Sequence, residues 1–160
     1  AALRSDGPGA LGAEPLARRL GTTKGSFYWH FADVPAYSDA LLARWQDAAR
    51  DALDTDADHP AARLRACAQA IAAPADTPDQ AAEPAIRAWA ATEPAAARVV
   101  SATDAQRLAR IAAHLAACGI SNPEMARLVL AAAIGMQANG PSQANRDAIG
   151  SLIDLMLALG

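Results

Sequence analysis

Thr22-Thr23-Lys24-Gly25-Ser26-Phe27-Tyr28-Trp29-His30-Phe31 decides how this chain is read. Lys24 is the single lysine among 14 basic residues. Two hydroxyls, a cation, a glycine and a third hydroxyl open a short helix, which then presents Tyr28, Trp29 and His30. Phe27 and Phe31 are four residues apart and share one helical face, so they can anchor the helix in a small core. The opposite side carries groups that bond to phosphate oxygens and base edges, the composition of a DNA-reading helix.

Working outward, the preceding residues predict a helix over Ala13 to Leu20. Glu14 and Pro15 fall in its first turn, where a carboxylate meets the dipole and proline loses no hydrogen bond. Leu16 and Leu20 are expected on its inner face, with Ala17 allowing close approach and Arg18 and Arg19 outside. Gly21 permits a sharp turn, and the Thr23 hydroxyl is placed to cap the next helix. Helix, three-residue turn and short helix make the helix-turn-helix spacing. Before it, Ala1 to Ser5 reads as the end of a helix running into the breaker Asp6-Gly7-Pro8-Gly9.

The rest of the chain is punctuated for helices. Asp33 is placed to cap a helix from about Pro35 to Leu53, with Leu41, Leu42, Trp45 and Leu53 on its apolar side. Pro60 starts the next, which ends before Pro74. Thr77 and Gln80 form a capping box, and Pro84 then forces a kink or a restart near Glu83. Pro94 begins a helix ending at Gly119. Asn122-Pro123 opens another that reaches about Asn139 and stops at Gly140-Pro141, and Ser142 caps the last, from roughly Gln143 to Leu159. Apolar residues make up 52% of the chain, mostly alanine and leucine. Alanine has the highest helix propensity, so the expected fold is all-α with about nine helices. Two domains are expected: residues 1–53 as the helix-turn-helix module with its connecting helix, and 54–160 as a regulatory and dimerisation bundle.

Charge and composition narrow the function. The chain carries −3 overall, yet residues 1–31 hold Arg4, Arg18, Arg19 and Lys24 against Asp6 and Glu14, a balance of +2, and the remainder carries −5. Such asymmetry keeps one edge attractive to a polyanion. No apolar run reaches the roughly 20 residues of a membrane span, and residues 1–12 lack a signal peptide's pattern, so a cytoplasmic location is expected. Cys67 and Cys118 are too few for a disulfide framework. His30, His59 and His114 lack partners at metal-ligand spacing, and no cofactor is expected. Paired carboxylates, a Ser-His-Asp cluster and a phosphate-cradling glycine loop are all missing, so the expectation is not an enzyme.

The run Leu16-Ala17-Arg18-Arg19-Leu20-Gly21-Thr22-Thr23-Lys24-Gly25-Ser26-Phe27-Tyr28-Trp29-His30-Phe31, followed by Leu41-Leu42, resembles the tetracycline-repressor (TetR) family of bacterial regulators. That resemblance covers about a third of the chain closely. Ala85-Ile86-Arg87-Ala88-Trp89-Ala90 and Arg107 look weakly similar to the regulatory core of some members. The resemblance implies a homodimer with an N-terminal DNA-binding module, an all-helical ligand-binding body and a two-helix dimer contact at the C-terminus. Three features depart from the family pattern: the first helix is short, Gly12 replaces a Ser or Thr cap, and Val34-Pro35-Ala36-Tyr37 opens the fourth helix without charge.

Site expectations follow from the chemistry and the resemblance together. Lys24, Tyr28 and His30 are candidates for phosphate contacts, Thr22 and Thr23 for hydroxyl contacts to the DNA backbone, and Ser26 and Trp29 for base edges or thymine methyls. Gly25 lets the backbone approach the duplex. The segment Leu128 to Met136 is apolar on every side, which calls for a partner as well as a core. Leu128, Ala132, Gly135, Ile149, Leu152, Ile153 and Met156 are the expected dimer interface, with Leu159 also on the stripe and Leu155 wider of it. Cys67, Ile71, Trp89, Ile111 and Met136 are candidates to converge on a pocket for a hydrophobic small-molecule effector. The function expected is a transcriptional regulator, a repressor that binds a palindromic double-stranded DNA operator and is released by that effector. The alternative is a dimeric all-helical ligand-binding or scaffold protein without DNA binding.

Overall fold

A computed structural model describes residues 1–74, 77–139 and 142–159. Among the described residues there are nine α-helices and no strand. The chain divides into two compact units, Ala1–Asp47 with Thr77–Ser101, and Ala48–Asp76 with Ala102–Gly160. Helices α4 (Val34–Asp51) and α7 (Pro94–Ala117) contribute residues to both.

The first unit begins with α1 (Ala2–Asp6), α2 (Ala13–Leu20) and α3 (Lys24–His30), and adds α6 (Glu83–Ala90). Two small cores hold it. One gathers Leu3, Leu11, Leu42, Trp45, Ile86 and Trp89; the other gathers Ala2, Ala13, Leu16 and Phe27. The breaker after α1 folds into a 3-10 turn over Pro8–Leu11, which sends Leu11 into the first core. Gly12 caps α2 without any side-chain bond, as a residue lacking a hydroxyl must. Asp33 Oδ1 accepts from the Ala36 N–H at 2.7 Å, so α4 starts at Val34 with Pro35 in its first turn, where no donor is lost. Thr77 Oγ1 accepts from the Gln80 N–H at 3.3 Å, and a 3-10 turn over Gln80–Ala82 follows. The chain then restarts at Glu83, so Pro84 sits in the first turn of α6 instead of kinking a longer helix.

α6 carries an ion pair whose carboxylate is buried and whose guanidinium is half-buried. Glu83 is buried, and both Nε and Nη2 of Arg87 lie 2.9 Å from its Oε1. One turn separates the partners, so the helix itself supplies the geometry that a buried charge requires.

In the second unit, α5 (Pro60–Ala72) packs against both α8 (Pro123–Met136) and α9 (Ser142–Leu159). Leu64, Cys67, Ile71, Ile111, Leu115, Val129, Ile149 and Ile153 form its core. Pro60, Pro94 and Pro123 each occupy the first position of a helix, where their missing N–H is no loss. Gly119 adopts φ 86° just past α7, and Asn122 Oδ1 caps α8 through the Glu124 N–H at 2.9 Å. The last turn of α8 tightens to a 3-10 helix over Gln137–Asn139. The stop expected at Gly140-Pro141 and the Ser142 side-chain cap lie outside the described residues and side chains.

Polar side chains tie these alanine-rich helices together. Asn145 Nδ2 donates to the carbonyls of Ala72 at 3.2 Å and Met136 at 2.8 Å, and Gln137 Nε2 donates to Ile71 O at 2.7 Å. Gln69 Nε2 reaches Arg146 O at 3.1 Å, and Arg65 pairs with Asp154. The bonds to Ile71 O, Ala72 O and Met136 O occupy carbonyls in the last turns of α5 and α8 that lack partners within their own helices.

Candidate nucleic-acid interface

The turn between α2 and α3 is fixed by backbone bonds. Gly21 takes the left-handed conformation, φ 64° and ψ 30°, which glycine adopts without a Cβ clash. Its N–H donates to Arg18 O at 3.3 Å, and the Thr22 N–H donates to Ala17 O at 2.9 Å. This paired arrangement is the Schellman closure of a helix. Two residues later, Thr23 Oγ1 accepts from the Ser26 N–H at 3.2 Å and starts α3.

Phe27 orients α3. It is buried with Leu16 and Ala13, and its ring centroid lies 5.6 Å from Phe31 and 5.7 Å from Tyr37. Phe31 and Tyr37 are 5.0 Å apart in an edge-on contact, so an aromatic cluster holds the inner side of the helix. The outer side is turned to solvent. Lys24, Gly25, Tyr28 and His30 are exposed, Ser26 is half-buried, and Thr22 and Thr23 are exposed in the turn. Trp29 is 83% exposed and meets the His30 ring edge-on at 4.9 Å. Lys24 Nζ sits 6.0 Å from the centre of the Tyr28 ring. The eight expected DNA-contacting residues thus lie together on one short segment.

Gly25 is informative. A Cβ there would meet only Thr23 Oγ1, at an ordinary 3.6 Å. Glycine inside a helix destabilises it by about 0.5–1 kcal/mol relative to alanine. Nothing within the described residues requires that concession.

Leu20 departs from expectation. It is 75% exposed and edges a small hollow with Thr22, Ser26 and His30. It is the last residue of an eight-residue helix and lies outside the core that holds Leu16 and Phe27. On the same helix Arg18 pairs with Glu14 at 3.4 Å, and Arg19 pairs with Asp6.

Comparison with family models, with curated proteins and with solved structures gives no match.

The remaining expected sites are distributed differently from one another. Of the five pocket candidates, Cys67, Ile71 and Ile111 are fully packed into the core of the second unit, and Met136 packs against that core. Burial pushes the Cys67 thiol up to about 11, against the opposing influence of Arg110 and Arg107, so it stays a protonated, unreactive core group. Trp89 belongs to a core of the first unit. The five therefore do not line a common cavity within either unit. Trp89 instead lines a crevice of 510 Å³ with Leu11, Val34 and Pro35.

Among the expected dimer residues, Leu128 is 56% exposed, Gly135 is exposed, and Ala132, Leu152 and Met156 are half-buried. Ile149 and Ile153 are wholly buried in the core of their own unit, so neither is available to a partner. Their place on the outside of α9 is taken by Leu155, 58% exposed, and by Leu159. Sequence reasoning set Leu155 aside because it lies off the strongest apolar stripe. Apart from Leu159 at the helix end, that stripe marks the side facing the chain's own core.

No helix among the described residues is long and apolar enough to cross a membrane.

Proposed function

We propose that this chain is a sequence-specific DNA-binding transcriptional regulator of the TetR type, acting in the cytoplasm as a repressor on a palindromic operator. The observation that carries the proposal is the outward side of α3. Lys24, Tyr28, Trp29 and His30 are all exposed there, on a helix whose inner side is pinned by Phe27. An 83% exposed tryptophan, edge-on to the His30 imidazole, has no role in the chain's core packing. It suits a surface that stacks on, or reads, another molecule.

One module reading a few base pairs binds weakly, so the regulator works as a two-fold dimer with half-sites about one helical turn apart or a multiple of it. Leu128, Leu155 and Leu159 supply exposed apolar surface on α8 and α9 for that contact. A small-molecule effector that prefers the conformation with wrongly spaced reading helices lowers operator affinity by its own preference between states.

A second reading has its own support. The cations of α2 are each paired with a carboxylate, Arg18 with Glu14 and Arg19 with Asp6, which thins the positive charge beside α3. A dimeric helical ligand-binding or scaffold protein without DNA binding would tolerate that.

The deciding experiment is a shift assay with the full protein and the DNA flanking its own gene, repeated across salt concentrations. The regulator reading expects specific retardation that weakens steeply with salt. Absence of binding to any duplex, or an affinity indifferent to salt, leaves the second reading.

A further inference from the structure

The 510 Å³ crevice in the first unit falls within the size range of small-molecule sites. Its apolar wall comes from three elements: Leu11 from the 3-10 turn, Val34 and Pro35 from the start of α4, and Trp89 from α6. Two carboxylates complete it, Asp39 from α4 and Glu93 from the link before α7, and none of the lining residues is basic. The link is rigid. The N–H groups of Thr92 and Glu93 both donate to Trp89 O at 3.0 Å, and Glu93 Oε1 accepts from the Ala95 N–H at 3.2 Å. Asp39 is exposed and makes no ion pair with any described residue.

Apolar walls with fixed charge of one sign concentrate the field inside a cleft. An anion entering here meets two carboxylates and no compensating cation. A purely neutral apolar molecule leaves both carboxylates unused. A molecule with an apolar body and one positive nitrogen or phosphorus centre satisfies both halves of the site, and an indole in the wall suits such a cation.

We propose that this crevice binds an amphipathic organic monocation. The inference rests on the regulator reading only for its consequence: it then places the effector beside Trp89 in the first unit, with Cys67, Ile71 and Ile111 left as core of the second. Leu11 precedes the helix-turn-helix segment and Val34 follows it. A ligand that fits one spacing of these two residues better than another biases that spacing, which is how binding here would reach α2 and α3.

The test is calorimetric titration of the full protein, without DNA, against tetraphenylphosphonium and the smaller benzyltrimethylammonium. Tetraphenylborate serves as the anion of matched shape. Saturable binding of at least one cation is expected, with the borate weaker by about tenfold or more. Asp39→Asn together with Glu93→Gln keeps size and the Ala95 acceptor, and should weaken the cation by a similar factor. Asp39→Asn alone, at an exposed position, should give a smaller loss in the same direction and covers the case in which the double variant does not fold. Equal affinity for phosphonium and borate, unchanged affinity in the variants, or no saturable binding of either cation would overturn the proposal. Because no duplex is present, failure here is separate from failure of DNA binding in the shift assay.

Discussion

Thr23 Oγ1 accepts the Ser26 N–H at 3.2 Å, so the hydroxyl that begins α3 is spoken for as an acceptor while its own proton remains available to donate. One residue therefore sets the start of the helix and can still meet an oxygen outside the chain. Thr23→Ala is expected to lower stability by about 1 kcal/mol. Thr23→Ser should restore it, as read from urea unfolding of the two variants.

Lys24 and Trp29 should separate under mutation. Lys24→Ala removes a charge that meets any phosphate, and is expected to weaken all duplexes alike and flatten the salt dependence by about one unit of slope per subunit, about two for the dimer. Trp29→Ala should change the ranking of related sequences. A competition assay with a library of half-site variants reads both, and a Trp29→Ala protein with unaltered ranking would remove that residue from sequence readout.

On α8 and α9, outside and inside positions predict opposite phenotypes. Leu128→Arg or Leu155→Arg should leave the melting curve nearly unchanged and shift light scattering toward the mass of a monomer. Ile149→Ala and Ile153→Ala remove wholly buried side chains and should each destabilise the fold by about 2–5 kcal/mol.

Two ion pairs of the first unit make a further contrast. Glu83 is buried against Arg87, and Glu83→Ala leaves a half-buried guanidinium without that carboxylate; a loss of about 3 kcal/mol is expected. Arg44 and Asp79 are 2.7 Å apart but Arg44 is exposed, and Asp79→Asn should leave the unfolding midpoint where it was.

His114 gives the second unit a pH dependence. Burial, with Arg110 and Arg63 nearby, lowers its affinity for a proton below the ordinary value of 6.5. Its Nε2 is buried with no hydrogen-bond partner among the described residues. The folded form thus favours neutral imidazole, whereas the unfolded chain takes up a proton as pH falls through 6.5. Stability from this group is complete above that pH and declines below it. Urea midpoints measured from pH 7.5 to 5.5 should fall, and His114→Phe should reduce the slope.

What could be read from the residues alone was mainly where helices begin and end. Gly21, Thr23, Asp33, Pro60, Pro94, Gly119 and Asn122 act through local chemistry, a cap, a missing N–H or a positive φ, and α2 has the expected bounds of Ala13 and Leu20. Which side of a helix faces inward was less legible. Phe27 and Phe31 announce their face because aromatics are scarce here. Along α9, alanine, leucine and isoleucine are spread around much of the circumference, and periodicity could not say that Ile149 and Ile153 serve the chain's own core while Leu155 does not. Trp89 failed for a different reason: proximity in three dimensions to Leu11 and Pro35 leaves no trace in local spacing.

Helices built so largely from alanine offer many near-equivalent ways to nestle, since one methyl resembles the next. Asn145, bonded at once to Ala72 O and Met136 O, ends that ambiguity. Sliding α9 by a single position would bring Ala144 or Arg146 to the same spot, and neither can satisfy two carbonyls there in the same way. A lone amide thus acts as the index pin that lets a monotonous alphabet specify one alignment.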